Sequence, residues 1–300
     1  MLRIFGTILA GLLGLAFGSF LNVCLSRWPE GESVVKPRSH CRNCGRTLTW
    51  WENVPVVSWM ALRRRCRTCK AGISWRYPLV EFLIGALWAA AAYRSISVAI
   101  SADFSINLLW AEAVTSLGVM LFLWTVVALS FLDAEQLWLP DCLTLPGVGL
   151  GVLFKTALGA IQAYAPPGEV RLGCWDCVSP WRAAAMSLVS AVLAGSLVLG
   201  IRWAYWLIRR REGSGLGDAK LMAMLGAWLG LSGALLSFGI GVVVGALFAI
   251  CAHGLTAGQR ESENWLAAKL PLGTFLCIGG IFSALWGQPI IETYKRWAGL

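Results

Sequence analysis

Apolar residues run along this chain in long stretches, separated by short polar or glycine-rich links. Candidate membrane-crossing helices fall at about 5–25, 78–98, 107–132, 140–162, 183–208, 219–231, 233–254 and 271–287. Runs of about 18 or more apolar residues point to spanning helices, because a helix must cross a hydrocarbon core about 30 Å thick. The expected architecture is an all-α polytopic membrane helix bundle of about eight transmembrane helices. The division between the sixth and seventh rests on Gly230-Leu-Ser-Gly233, and the run before it is short. Residues 5–25 lack a strong basic leader and show no small-x-small cleavage site, so they read as a retained helix rather than a signal peptide.

Composition agrees with the pattern. The 300 residues are 57% hydrophobic and only 14% charged, with mean hydropathy +0.67. A soluble domain carries about a quarter charged residues. Charge placement adds a direction. Residues 26–77 hold eleven basic side chains against three acids (Glu30, Glu32 and Glu52), which is +8 of the chain's +9. The positive-inside rule puts this loop in the cytoplasm. Alternation then places 133–139, 209–218 and 255–270 inside, and 99–106, 163–182 and both termini outside. The chain divides into a first transmembrane helix (1–25), a cytoplasmic loop domain (26–77) and a polytopic membrane domain (78–300). The basic balance reads as topology plus contact with anionic lipid, not as nucleic-acid binding.

The loop contains Cys41/Cys44 and Cys66/Cys69, two Cys-x-x-Cys pairs with 21 residues between them. Two such knuckles suit a tetrahedral zinc ribbon with four cysteine ligands. Four thiolates close the metal's shell and leave no place for a reacting water, so the expected zinc is structural. His40, beside the first pair, reads as a surface histidine. Cys174 and Cys177 fall in a loop expected outside, where a local disulfide is expected. Cys24, Cys142, Cys251 and Cys277 read as small packing residues.

Few of the sixteen acids touch the apolar runs. Glu81 and Glu112 lie within them, and Asp133, Asp141 and Asp218 lie at expected inner ends. Ionisable groups in such places are expensive and usually functional. Glu81 is expected to pair with a basic residue of the cysteine loop. Pro140 and Asp141 suit a helix start. Asp133 sits where a helix ends and the dipole disfavours an anion, so it is either salt-bridged, for instance to the Arg209–Arg211 run, or held partly protonated. Asp218 follows Gly215-Leu-Gly217, and glycines there allow close backbone approach. It also suits an N-cap for a helix beginning at Ala219. Lys220, two residues on, suits tuning of Asp218 or binding of a main-chain carbonyl. Asp133 and Asp218, from separate helices at one membrane edge, make a candidate aspartyl-protease pair sharing one proton.

These residues carry a resemblance. The chain resembles the type IV prepilin peptidases from about residue 11 to 290. The likeness includes Gly18-Ser-Phe-Leu-Asn22, Arg27-Trp-Pro29, the four loop cysteines, Ile73-Ser-Trp-Arg-Tyr-Pro-Leu-Val-Glu81, Leu139-Pro-Asp141 and Gly215-x-Gly-Asp218-x-Lys220. In that family the first catalytic acid lies eight residues before the Asp of Leu-Pro-Asp, which falls on Asp133. The second falls on Asp218, with Gly215, Gly217 and Lys220 supporting it.

The resemblance implies an endopeptidase of the bacterial inner membrane. It would remove the short basic leader of prepilins or pseudopilins after a glycine at the cytoplasmic face. It also implies N-methylation of the new amino-terminal residue with S-adenosylmethionine, for which no residue reads as the pocket. Two departures stand out. The segment between the two acids is long, and Pro271-Leu-Gly-Thr-Phe275 replaces a Pro-Phe-Gly-Pro pattern. The competing readings are a membrane thiol-disulfide oxidoreductase using the paired cysteines, and an ion-coupled transporter using the intramembrane acids.

Overall fold

The structure is a computed structural model, and it describes residues 1–101, 106–164, 179–210, 215–256 and 271–299. Eight helices follow in order: α1 (Leu2–Arg27), α2 (Val57–Ala61), α3 (Arg76–Ser101), α4 (Ile106–Gln136), α5 (Asp141–Tyr164), α6 (Pro180–Arg209), α7 (Leu216–Thr256) and α8 (Leu272–Ala298). No β-strand occurs among the described residues, only two isolated bridges. Among the described residues, seven stretches are long and apolar enough to cross a membrane. Several helices outrun the apolar segments. α8 continues to Ala298 through Tyr294 and Lys295, because a helix satisfies its own backbone and does not stop at the hydrocarbon boundary.

The chain forms two compact units. The first comprises Met1–Phe104 with Val119–Trp124. Its frame is the antiparallel pair α1/α3: Gly6 meets Ile96, Gly14 meets Gly85, and Gly18 meets Glu81. A Cβ at Gly18 would stand 2.6 Å from the Glu81 Cα, so only a small residue lets these backbones touch. Segment 119–124 joins this unit through indole donors. Trp124 Nε1 donates to the Phe17 carbonyl at 3.1 Å and Trp88 Nε1 to the Met120 carbonyl at 3.0 Å.

The second unit comprises Ser105–Gly118 and Thr125–Leu300. Its helix directions follow from residue register. α7 packs antiparallel to α6, with Gly195 against Ala219 and Ala223, and Gly226 against Ser190. It also packs parallel to α5, with Gly147 against Met224 and Gly151 against Trp228. Further along, α7 packs antiparallel to α8: the Ser283 hydroxyl donates to the Gly233 carbonyl, and Gly241 meets Phe275. These registers require α7 to turn back on itself. The break is at Gly230, with φ 74° and ψ 174°, backbone angles that glycine alone adopts readily. α7 is therefore two legs, 216–229 and 231–256, which gives the expected eight segments. The first leg rises only about 21 Å, less than a full hydrocarbon core.

Lipid gives helices no hydrophobic reason to associate, so close packing and interhelical hydrogen bonds hold this unit. Trp228 Nε1 donates to the Gly147 carbonyl at 2.8 Å and the Ser187 hydroxyl to the Ala227 carbonyl at 2.9 Å. Such bonds contribute about 0.6 kcal/mol each in a membrane.

Candidate active site

One end of the second unit gathers the end of α4, the start of α5, the start of α7 and the start of α8. α4 stops after Gln136, where Leu137 takes a left-handed conformation (φ 54°) and donates its N–H to the Asp133 carbonyl at 2.9 Å. This closes the last turn and leaves the Asp133 side chain in the interior, 5% exposed. Leu139, in the link to α5, lies between two glycines. A Cβ at Gly217 would stand 3.0 Å from Leu139 Cβ, and one at Gly273 would stand 3.0 Å from Leu139 Cδ1. Gly217 precedes Asp218, and Gly273 lies against the Asp133 carboxylate. One side chain thus spaces both aspartates.

Asp133 answers the objection its position raised. A carboxylate in the last turn of its own helix faces partial negative charge. Here the opening turn of α8 comes to meet it. Thr274 donates its N–H to Asp133 Oδ2 at 2.6 Å, and its hydroxyl lies 3.1 Å from the same oxygen. Among the described residues these are its side-chain partners. Asp133 thus takes the N-terminus of another helix as its partner, and not Arg209 or Arg210 of the run that offered an ion pair as the alternative to a catalytic role. Arg210 stacks on Trp206 instead, and Arg211 lies outside the described residues.

Asp218 is 7% exposed. α7 begins at Leu216, so Asp218 is not the cap of a helix starting at Ala219. It sits inside the first turn and accepts the N–H of Gly215, the return half of a capping box. Both carboxylates are buried, and Leu139 touches Gly217 beside Asp218 and Gly273 beside Asp133, so α4 and α7 bring the two acids to the same end of the unit.

Lys220 faces another acid. Its ammonium lies 2.6 and 2.8 Å from the two oxygens of Asp141 at the start of α5. Glu81, in the first unit, was expected to find a basic residue of the cysteine loop. It finds loop backbone instead, accepting the N–H of Val56 at 2.7 Å. Val56 is held at φ 59°, a conformation rare for a β-branched residue.

The cysteine loop is built from two like knuckles. In the first, Cys41 N–H donates to the Arg46 carbonyl and Gly45 N–H to the Cys41 carbonyl. In the second, Cys66 pairs with Ala71 and Lys70 with Cys66 in the same pattern. Bridges His40–Thr47 and Arg65–Gly72 close their bases. Gly45 and Lys70 take the matching left-handed positions, φ 70° and 59°.

All four Sγ atoms lie within 4.8 Å of one another, with Cys41 and Cys69 at 3.7 Å. Four sulfurs about 2.3 Å from one zinc would stand about 3.8 Å apart, so the residues present fit that ion. Backbone donation from Ala71, then the Asn43 side chain, brings the Cys69 thiol down to about 6. Backbone N–H groups of Cys69 and Thr68 lower Cys66 as well. His40 is exposed, with Nδ1 near the Arg38 carbonyl. Beside the first knuckle, Glu52 is buried and accepts the Thr49 N–H, the Thr49 hydroxyl and the Arg46 guanidinium. Cys174 and Cys177 lie outside the described residues.

The sequence reading missed Thr274 and Gly273. A signal was present: α8 opens after Pro271 with no capping side chain of its own, so its first N–H groups need an acceptor from elsewhere.

These features define a polytopic membrane protein with paired buried aspartates and a four-cysteine loop. Residues 12–95 match the bacterial peptidase A24 N-terminal domain, and residues 120–250 match the type IV leader peptidase family. The chain belongs to the type IV leader peptidase family and is a membrane peptidase. It is 34% identical to the prepilin leader peptidase/N-methyltransferase of Aeromonas salmonicida (strain A449), over 94% of this chain and 91% of the relative. It is 35% identical to that of Aeromonas hydrophila, over 94% and 91%. For Pseudomonas aeruginosa the identity is 33%, over 96% and 93%. No solved structure matches it. Nothing in these matches supports the thiol oxidoreductase.

Proposed function

We propose that this protein is an aspartyl endopeptidase in which Asp133 and Asp218 form the catalytic pair. It removes the basic leader of prepilins or pseudopilins at the cytoplasmic face of a bacterial inner membrane. The observation that supports the reading is the burial of these two carboxylates, from α4 and α7, at the same end of the helical unit on either side of Leu139.

Two acids so placed hold one proton between them. The ionised carboxylate takes a proton from water as the water oxygen attacks the scissile carbonyl carbon. The protonated partner gives its hydrogen to the carbonyl oxygen. Collapse of the tetrahedral intermediate breaks the C–N bond, with a proton passing to the departing nitrogen. The pair returns to a single shared proton.

A prepilin-type substrate suits this place. Its basic leader is drawn to acids at an inner membrane edge, and its apolar helix lies in the bilayer beside the bundle. The cytoplasmic assignment rests on the eleven basic side chains of residues 26–77.

The names of the relatives support a second step, N-methylation of the new amino terminus. S-adenosylmethionine would supply the methyl group. Zinc held by Cys41, Cys44, Cys66 and Cys69 would be structural, tying the two knuckles of the loop together.

The test is incubation of the purified protein in lipid with a synthetic prepilin-type peptide and a labelled methyl donor, read by mass spectrometry. Cleavage after the leader glycine with one methyl added to the new terminus is the expected product. An intact peptide under conditions where a relative cleaves it would contradict the reading.

A further inference from the structure

Granting that Asp133 and Asp218 are the peptidase pair, the geometry points to Thr274 as the positioning residue that holds Asp133 in both of its proton states. Thr274 is the third residue of α8, where backbone N–H groups have no partner inside their own helix. Its N–H is spent on Asp133 Oδ2 at 2.6 Å. Its hydroxyl lies 3.1 Å from that oxygen and 3.1 Å from the Ser130 carbonyl.

A hydroxyl has one hydrogen and can also accept, whereas a carbonyl only accepts. Thr274 therefore has two settings. With Asp133 ionised, the hydroxyl donates to Oδ2. With a proton on Oδ2, that proton is donated to Thr274 Oγ1, and the threonine's own hydrogen turns to the Ser130 carbonyl. One bond rotation exchanges the settings, and no buried polar group is stranded in either. Asp133 Oδ1 has no hydrogen-bond partner in the protein among the described residues. Gly273 leaves the space this needs, since a Cβ there would stand 2.9 Å from Oδ2.

The experiment uses the full chain in lipid nanodiscs, with kcat and KM measured on a prepilin-type peptide. Thr274→Val keeps the N–H and loses the hydroxyl. Its kcat is expected to fall at least about tenfold, because one partner of a buried charged group is removed. KM and the melting temperature are expected to stay near wild type. Thr274→Ala carries the same expectation with a smaller side chain. Thr274→Ser is expected to restore most of kcat. A Thr274→Val enzyme with wild-type kcat, or a Thr274→Ser enzyme as slow as the valine variant, would overturn the inference. Asp133→Asn, assayed alongside, separates the two levels. If it is inactive while Thr274→Val is fully active, only the role of Thr274 falls. If it is active, the catalytic pair falls too.

Discussion

Lys220 and Asp141 join the first turns of α7 and α5, with the ammonium 2.6 and 2.8 Å from the two carboxylate oxygens. Lys220 lies two residues after Asp218 in sequence, yet it engages a different acid. Both side chains are partly exposed, 35% for Lys220 and 59% for Asp141, so water screens the attraction and the pair is worth about 0.5–1 kcal/mol. Lys220→Met is therefore expected to slow cleavage only about two- to fivefold, by loosening the turn that carries Asp218. The charge swap Lys220→Asp with Asp141→Lys is expected to recover part of that loss. A loss beyond about a hundredfold, with no recovery in the swap, would mean that Lys220 acts on the reacting groups themselves.

Gly273→Ala tests the closeness of α8 to Asp133. The added methyl would stand 2.9 Å from Oδ2 and 3.0 Å from both Asp133 Cγ and Leu139 Cδ1. Something in that contact must move, at a cost of about 1–3 kcal/mol for overpacking. The expected outcome is a folded, inserted protein with cleavage reduced well beyond its loss of thermal stability. Cleavage kinetics beside a melting curve read both.

What the sequence made legible, and what it did not, follows from the range of each interaction. Spanning helices are written in contiguous residues, and so are Cys-x-x-Cys pairs and the Gly215-x-Gly-Asp218 turn. The turnback in α7 was legible as well, because Gly230 interrupts the apolar run. Partners distant in the chain were not. Thr274 and Asp133 are 141 positions apart, and Lys220 and Asp141 are 79 apart. Glu81 hid its partner differently: charge counting suggests an arginine, whereas a backbone N–H carries no sequence signature. Asp133 marked itself as needing compensation, but only the fold says that compensation comes from a helix terminus.

Glu52 should control the acid stability of the cysteine loop. Hydrogen bonds from the Thr49 N–H and hydroxyl and from Arg46 hold its carboxyl down to about 2, from 4.5. A lowered acid stabilises the fold above its ordinary value, and that contribution is lost as pH falls from about 4.5 towards 2. Trp50 and Trp51 adjoin this corner and supply a fluorescence signal. The wild type is expected to show a transition in that window. Glu52→Gln is expected to be less stable at neutral pH and flat across the same window. Equal neutral-pH stability of the two would count against the role of Glu52.

Metal content tests the loop directly. Elemental analysis of purified protein is expected to give one zinc per chain, with Cys41→Ser, Cys44→Ser, Cys66→Ser and Cys69→Ser each losing it. The closed four-sulfur shell predicts that the metal holds structure without touching the peptide bond. Chelation should therefore loosen the loop before it slows cleavage. Metal-free protein with an unchanged, folded loop would remove zinc from the account.

The most direct measurement is leader cleavage by Asp133→Asn and Asp218→Asn, each purified, inserted in lipid and compared with wild type on the same prepilin-type peptide. Each substitution keeps the shape of the side chain but removes the titrating oxygen pair that shares the proton. The account predicts that both variants melt close to wild type and that neither releases leader. Cleavage by either one at a substantial fraction of the wild-type rate would contradict it.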